Sequence, residues 1–387
     1  MEPGRGLHAR ARAAPVLRLD GPVCASLLRI REDSVSMSSG HPFGYLLVHF
    51  VEDPDGYGEQ VYFSLSDGDD PCSWARLNQG QPVLRSNLGT TGARDPYIVR
   101  GADEFFIIAT DLRIYGGDGA GWDAWKRHGS RDIVVWRSTD LVTWSEPWSL
   151  EVAPPTAGMA WAPEALYDPD RGEFLVFWSS ALYDAEDGDH QGAAYSRVLA
   201  AWTPDFRELG APRVLVDRGA DVIDTTMLVQ DGLVHRISKQ ESFSADSERV
   251  FHEIGPEIFS DEYRKVATRI GADLYDKLEA PLLFRAHHGD IWYLFVDQYG
   301  HRPQGYVGFR TTDLTEGRWE PIPPDQFHMP ANTKHGGVLP LRGDEWRRVR
   351  KAYAQGDRRR HTAPRWHCGR SRARSPSTSS QCPQPPS

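Results

Sequence analysis

Residues 333–341 read TKHGGVLPL, an apolar run led by a polar group, with no further strand-like pattern paired to it downstream. Four earlier stretches open the same way: ARDPYIVR (93–100), WAPEALYD (161–168), VIDTTMLV (222–229) and LEAPLLFR (278–285). Each sets one ionisable residue before or at the start of apolar chain: Asp95, Glu164, Asp224, Glu279 and, in the last stretch, His335. Successive members lie 55 to 69 residues apart.

What fills the intervals is also repeated. After the led strand comes a polar turn, as in RGADEF, DPDRGEF, VQDGL and AHHGDIW, and then a second apolar strand. A third strand ends in a Ser/Thr-x-Asp turn, as in RSTDLVTW, WTPDFREL and RTTDLTEGRW. The strands are rich in β-branched and aromatic residues and are bounded by Gly, Asp and Pro. One stretch, 257–278, reads instead as a helix. Four strands with their turns occupy roughly 40–60 residues, the length of one propeller blade.

The isolated strand at 335–341 decides the architecture. Its missing partners lie at the other end of the chain, where GYLLVHF, EQVYFSL and the SDGDDPCSW turn stand without a leading strand. Joining the two ends completes a fifth unit and leaves few exposed sheet edges. The expectation is an all-β, five-bladed β-propeller over 16–345, its ring closed by a C-terminal strand joined to the N-terminal ones. Residues 1–15 are expected to be disordered. So is the Arg-, Ser- and Pro-rich tail at 346–387, which has no strand pattern.

Bulk properties narrow the function. The 387-residue chain carries a net charge of −10 although Arg is dense after Trp346, so its body is more acidic still. Such a body disfavours nucleic acid as a partner. No window approaches the ~18–20 apolar residues of a membrane span, and the N-terminus shows no apolar signal region. A cytoplasmic location is expected. Cys24, Cys72, Cys368 and Cys382 are scattered, without metal-ligand or disulfide-framework spacing. Thirteen Trp and fourteen Tyr suit either a core or a sugar-binding surface.

In a propeller the first strand of each blade lines the central channel, so the five leading residues are expected to converge at one mouth. Taken singly, each is an ordinary turn residue; Asp before Pro commonly starts a turn. Recurrence makes the set different, because gathered charges repel one another and resist desolvation. Paired carboxylates at a channel mouth suit glycoside hydrolysis, one protonating the leaving oxygen and the other activating water or attacking the sugar.

The motifs RDPYIVR, ATDLRIYGG, SRDIVVWRSTDLVTWSEP, PPTAGMAWAPEALYDP, IDTTM, EAPLLF and TKHGGVLPL together resemble glycoside hydrolase family 43 over about 44–341. That family comprises β-xylosidases, α-L-arabinofuranosidases and arabinanases. The resemblance implies inversion, with Asp95 as general base, Glu279 as general acid and Asp224 as the carboxylate that tunes the acid and orients the sugar. It also implies that Trp161, Glu164 and His335 line the sugar pocket. No cofactor is required, and a structural calcium near the propeller axis is the one metal it suggests. Where the family more often shows Glu-Gly-Pro, this chain has Ala280.

Two other readings stand beside it. One is a propeller that binds carbohydrate without turnover. The other is a retaining, fructosidase-like hydrolase; these share the propeller and an Arg-Asp-Pro motif. The nearest match to their nucleophile motif, EDPDGYGE (52–59), is assigned to an outer strand turn, and no Glu-Cys occurs. The substrate partner is an oligosaccharide in either enzymatic reading. Xylose against arabinose, anomeric linkage, exo against endo action and oligomeric state stay open. The insertion YGGDGAGWDAWKRHGS (115–130) is expected to close one end of the channel.

Overall fold

The computed structural model describes residues 40–52, 58–242 and 244–354. Residues 1–15 and most of the 346–387 tail lie outside them. Five four-stranded antiparallel sheets follow one another along the chain. The first blade runs outward as β4 (Arg94–Arg100), β5 (Phe105–Thr110), β6 (Asp132–Ser138) and β7 (Trp148–Glu151). The second holds β8 (Trp161–Asp168), β9 (Glu173–Leu182), β10 (Tyr195–Thr203) and β11 (Arg213–Val216). The third holds β12 (Val222–Gln230), β13 (Leu233–Gln240), β14 (Val250–Gly255) and β15 (Arg264–Ala267). The fourth holds β16 (Leu278–Arg285), β17 (Trp292–Gln298), β18 (Gly305–Thr311) and β19 (Glu320–Pro321).

The fifth blade closes the ring as the sequence pattern predicts. Its inner strand is β20 (Gly336–Arg342), which pairs antiparallel with β1 (Pro42–His49), and β2 (Tyr62–Asp67) and β3 (Asp70–Arg76) follow outward. Leu46 pairs with Leu339 and Leu47 with Val338. Chain ends nearly 300 residues apart are thus held by one ladder, and the closing blade has the same four strands as the others.

The apolar runs are continuous because each middle strand is covered on both faces by neighbouring blades. All six residues of β5 and all six of β14 are buried. Five large apolar clusters sit between successive blades. One packs Leu46, Phe63 and Leu339 of the closing blade against Ile107 and Trp136 of the first. Another packs Tyr45 and Leu47 against Phe284 and Phe295 of the fourth.

Two expectations are corrected. Residues 257–278 form no helix; they supply the short edge strand β15 and a series of turns, so the third blade is complete. The polar pattern there belongs to an exposed edge strand, whose burial alternates too little to be told from a helix face. The folded unit also extends past 345. Helix α2 (Gly343–Tyr353) follows β20 directly and buries Trp346 and Val349 in the cluster between the closing and first blades. Its Arg residues face outward, which gave the segment the composition of a tail.

Candidate active site

The inner strands share a local distortion that sets the site. In β4, β8, β12 and β16 the ladder to the next strand shifts register near the start, between Arg94 and Tyr97, Trp161 and Glu164, Ile223 and Thr226, and Glu279 and Leu282. At each bulge one residue takes a left-handed backbone: Asp95 (φ 49°), Ala162 (φ 49°), Asp224 (φ 52°) and Ala280 (φ 55°). Bulges re-aim side chains next to active sites. Asp tolerates this conformation better than Ala does. At Ala280 a glycine would relieve the strain, which gives the departure from Glu-Gly-Pro a local cost.

The bulges are tied across blade boundaries. The Thr110 hydroxyl at the end of β5 donates to Asp95 Oδ2 at 2.9 Å and accepts from the Ala162 amide at 2.8 Å. Ser179 Oγ accepts from the Asp224 amide at 3.2 Å, and Asp224 Oδ2 accepts from the Ala280 amide at 3.1 Å. The first three blades therefore each set the start of the next inner strand.

The leading residues are not equivalent by position, contrary to the expectation of five matching strand ends. Asp95 and Asp224 occupy matching bulge positions. Glu279 stands one residue earlier and Glu164 two residues later, in the straight part of β8. Asp95, Asp224, Glu279, Trp161 and His335 all line one cavity of about 640 Å³. Glu164 is not among its lining residues. It is 2% exposed, and neither carboxyl oxygen has a hydrogen-bond partner among the described residues. A uniform spacing in sequence cannot register a one- or two-residue shift around a bulge.

The charges are arranged in two groups. His335 Nδ1 lies 3.5 Å from Asp95 Oδ1. Burial works against the charged imidazole, but the Asp95 hydrogen bond and the carboxylates of Asp224, Asp95 and Glu164 outweigh it and push its pKa up to about 9. Burial would raise Asp95, but His335, Arg94 and Thr110 hold it below the usual carboxylate range. Glu164 is pushed up to about 8 by burial, against the pull of the His335 charge. Across the pocket, Lys239 Nζ donates to Glu279 Oε2 at 3.1 Å and reaches Glu241 Oε2 at 3.4 Å. Lys334 stands behind, buried against Asp297 at 2.9 Å. Burial raises Glu279, but the two ammonium groups bring it below its ordinary value. Asp224 rises to about 6, mainly through burial, with the Glu279 and Asp95 charges adding to it.

Several functional groups here had weak signals in the sequence. Arg94 and Lys334 are the residues just before Asp95 and His335. Lys239 and Tyr299 sit at the far ends of second strands, where no recurrent motif marks them. Of EDPDGYGE, residues 53–57 lie outside the described residues; Glu52, which follows β1, lines the cavity. Glu59 is buried against Arg94 at 2.8 Å and accepts the amides of Ile114 and Tyr115. For a calcium ion the fit is poor. Among the described residues no three His, Cys, Asp or Glu side chains converge to hold a metal, and His335 is turned to Asp95.

A five-bladed propeller with three carboxylates drawn from separate inner strands into one cavity is an arrangement that suits glycoside hydrolysis. The match to known families agrees: residues 41–347 fit the model of a probable glycosyl hydrolase domain related to family 43, and the chain belongs to that family. It is 32% identical over 216 residues to an α-L-arabinofuranosidase of Bifidobacterium longum subsp. longum, a match covering 52% of this chain and 20% of that protein. The chain thus matches about a fifth of that relative's length. Among solved structures it is similar to an α-L-arabinanase of Penicillium chrysogenum bound to arabinobiose (15% identity, 75% of this chain and 80% of that one, TM-score 0.47). It is also similar to the catalytic domain of a family 62 α-L-arabinofuranosidase of Coprinopsis cinerea (14% identity, 64% and 74%, TM-score 0.44).

Proposed function

We propose that the protein hydrolyses pentose-containing oligosaccharides by a single inverting displacement, releasing a terminal α-L-arabinofuranosyl residue. The observation that carries the reading is the meeting of Asp95, Asp224 and Glu279, from the first, third and fourth blades, in one cavity. The arabinofuranosidase relative supports the choice of sugar; a β-xylosidase is the competing specificity.

In this reading Asp95 is the base. Its carboxylate is kept ionised by His335 and Arg94 and takes a proton from water as the water oxygen bonds to the anomeric carbon. Glu279 gives its proton to the glycosidic oxygen as the bond from that oxygen to the anomeric carbon breaks. Asp95 ends protonated and Glu279 ionised, and solvent restores both. Lys239 favours ionised Glu279, so in this reading the acid is armed only when Lys239 withdraws. Glu241 offers that ammonium a second carboxylate to move towards. Asp224, held by the Ala280 amide, sits beside the acid and resists its ionisation.

A panel of aryl pentosides, with the product anomer followed by proton NMR, tests the proposal. Hydrolysis of the α-L-arabinofuranoside with first-formed β-product is expected. First-formed α-product would replace inversion with the retaining reading, for which Asp53 of EDPDGYGE becomes the residue to mutate. Binding without turnover of any glycoside would leave a carbohydrate-binding propeller.

A further inference from the structure

Helix α1 (Trp122–His128) lies in the connection between β5 and β6 and contributes Trp122, Asp123 and Lys126 to the cavity wall. Trp122 is 57% exposed, one of few large apolar side chains left open to solvent among the described residues. Its ring meets Trp161 edge to face at 6.0 Å and Trp125 at 5.4 Å, and the Arg94 guanidinium lies 5.8 Å from its centroid. One indole is thus propped by two others and a cation at the rim of the catalytic cavity.

The helix beneath it is fixed from several sides. Trp125 Nε1 donates to Asp118 at 2.8 Å. Lys126 pairs with Asp221 at the start of the third blade, and Asp221 also accepts the Ser196 amide. Arg127 donates to the carbonyls of His190 and Gly192 in the second blade, and the His128 ring stacks on His190. A seven-residue helix has little stability of its own. These contacts hold it as a rigid shelf, and they show that it spans to the neighbouring blades.

We infer that the Trp122 indole is the leaving-group subsite, stacking on the pyranose ring of the sugar from which the terminal residue is cut. The inference rests on the proposed hydrolase reading. Depth decides the side: Asp224 is buried in the cavity while Trp122 stands at its rim, so a terminal residue held at the carboxylates leaves the rest of the oligosaccharide running out past Trp122. Shape decides the sugar. A pyranose chair presents several axial C–H bonds on one flat face, which matches an aromatic surface; a furanose envelope with an exocyclic CH₂OH offers a smaller and less planar one. The preferred substrate is therefore a pentosyl branch on a pyranose backbone, in preference to a chain made wholly of furanoses.

Trp122→Ala and Trp122→Phe test this with three substrates: an arabinofuranosyl-substituted xylo-oligosaccharide, an arabino-oligosaccharide and α-L-arabinofuranosyl fluoride. The fluoride leaves the outer subsite empty. Trp122→Ala is expected to lower kcat/KM on the first by about tenfold, mostly through KM, since an aromatic stack is worth about one factor of ten. It should leave the fluoride within about twofold, and Trp122→Phe should recover most of the loss. Equal losses on the fluoride and the xylo-oligosaccharide, or no loss on the latter, overturn the subsite. If the unmodified enzyme cleaves no pentoside, calorimetric binding of xylotetraose separates the two ideas. Binding lost in Trp122→Ala keeps the platform and removes the hydrolase reading, whereas unchanged or absent binding removes the platform. Helix anchoring runs through Trp125, Lys126 and Arg127, so both variants are expected to fold.

Discussion

His335 Nδ1 lies 3.5 Å from Asp95 Oδ1, so the strand that closes the ring supplies the cation beside the first blade's carboxylate. Ring closure and the state of the proposed base are therefore one structural event. A protein that failed to seat β20 would lose both together.

His335→Gln removes that cation. Asp95 then loses one of the groups that hold its pKa down, and the acidic limb of the kcat/KM profile should move to higher pH. Stability should respond as well. A group raised to about 9 in the folded state stabilises fully below its ordinary pKa and progressively less as pH rises through 9. The wild type should lead the variant at pH 6 and lose that lead by pH 10 in urea unfolding. A profile and a stability gap that ignore pH would show that the imidazole is neutral throughout.

Glu164 gives the opposite signature. Its folded pKa of about 8 exceeds its ordinary 4.5, so the native state keeps a proton that the unfolded chain releases. Stability must fall as pH rises between those values. Glu164→Gln cannot ionise and should gain on the wild type by about 2–4 kcal/mol between pH 4.5 and 8.5. Urea melts at the two pH values measure it, and parallel stabilities would place a compensating charge or ion beside Glu164.

The acid and the base can be separated by leaving group. Glu279→Ala should cost about 10²–10⁴-fold on a disaccharide and far less on a dinitrophenyl glycoside, whose phenolate needs no proton. Asp95→Ala should lower both alike. Lys239→Met removes a cation that favours ionised Glu279, so the basic limb should move up in pH. If both leaving groups suffer equally in Glu279→Ala, the proton comes from another group, with Asp224 first in line.

Helix α2 is part of the fold. Trp346 packs edge to face on Phe43 at 5.3 Å, and its Nε1 donates to the Ser66 carbonyl. Trp346→Ala should cost about 3–5 kcal/mol. Ending the chain after 342 should lower Tm, whereas ending it after 354 should not. Unchanged melting without the helix would mean that Phe43 and Leu341 seal the cluster alone.

The sequence by itself determined the propeller. Strand periodicity, turn chemistry and a fixed repeat are local properties, and a single unpaired strand at 335–341 is enough to require a ring. It also named the carboxylates, because Asp95, Asp224 and Glu279 stand in distinctive short motifs. Tertiary structure decided what those residues do for one another. Bulges with left-handed residues at Asp95 and Asp224 set Glu279 one residue apart from them and sank Glu164 below the pocket, a shift that spacing does not encode. The charges that set each protonation state come from Lys239, Lys334 and His335, all three on other blades' strands or leads, and desolvation depends on what covers a group. Trp122 shows the same limit: an aromatic in an insertion becomes a rim of the cavity only because Asp221, His190 and Gly192 hold its helix there.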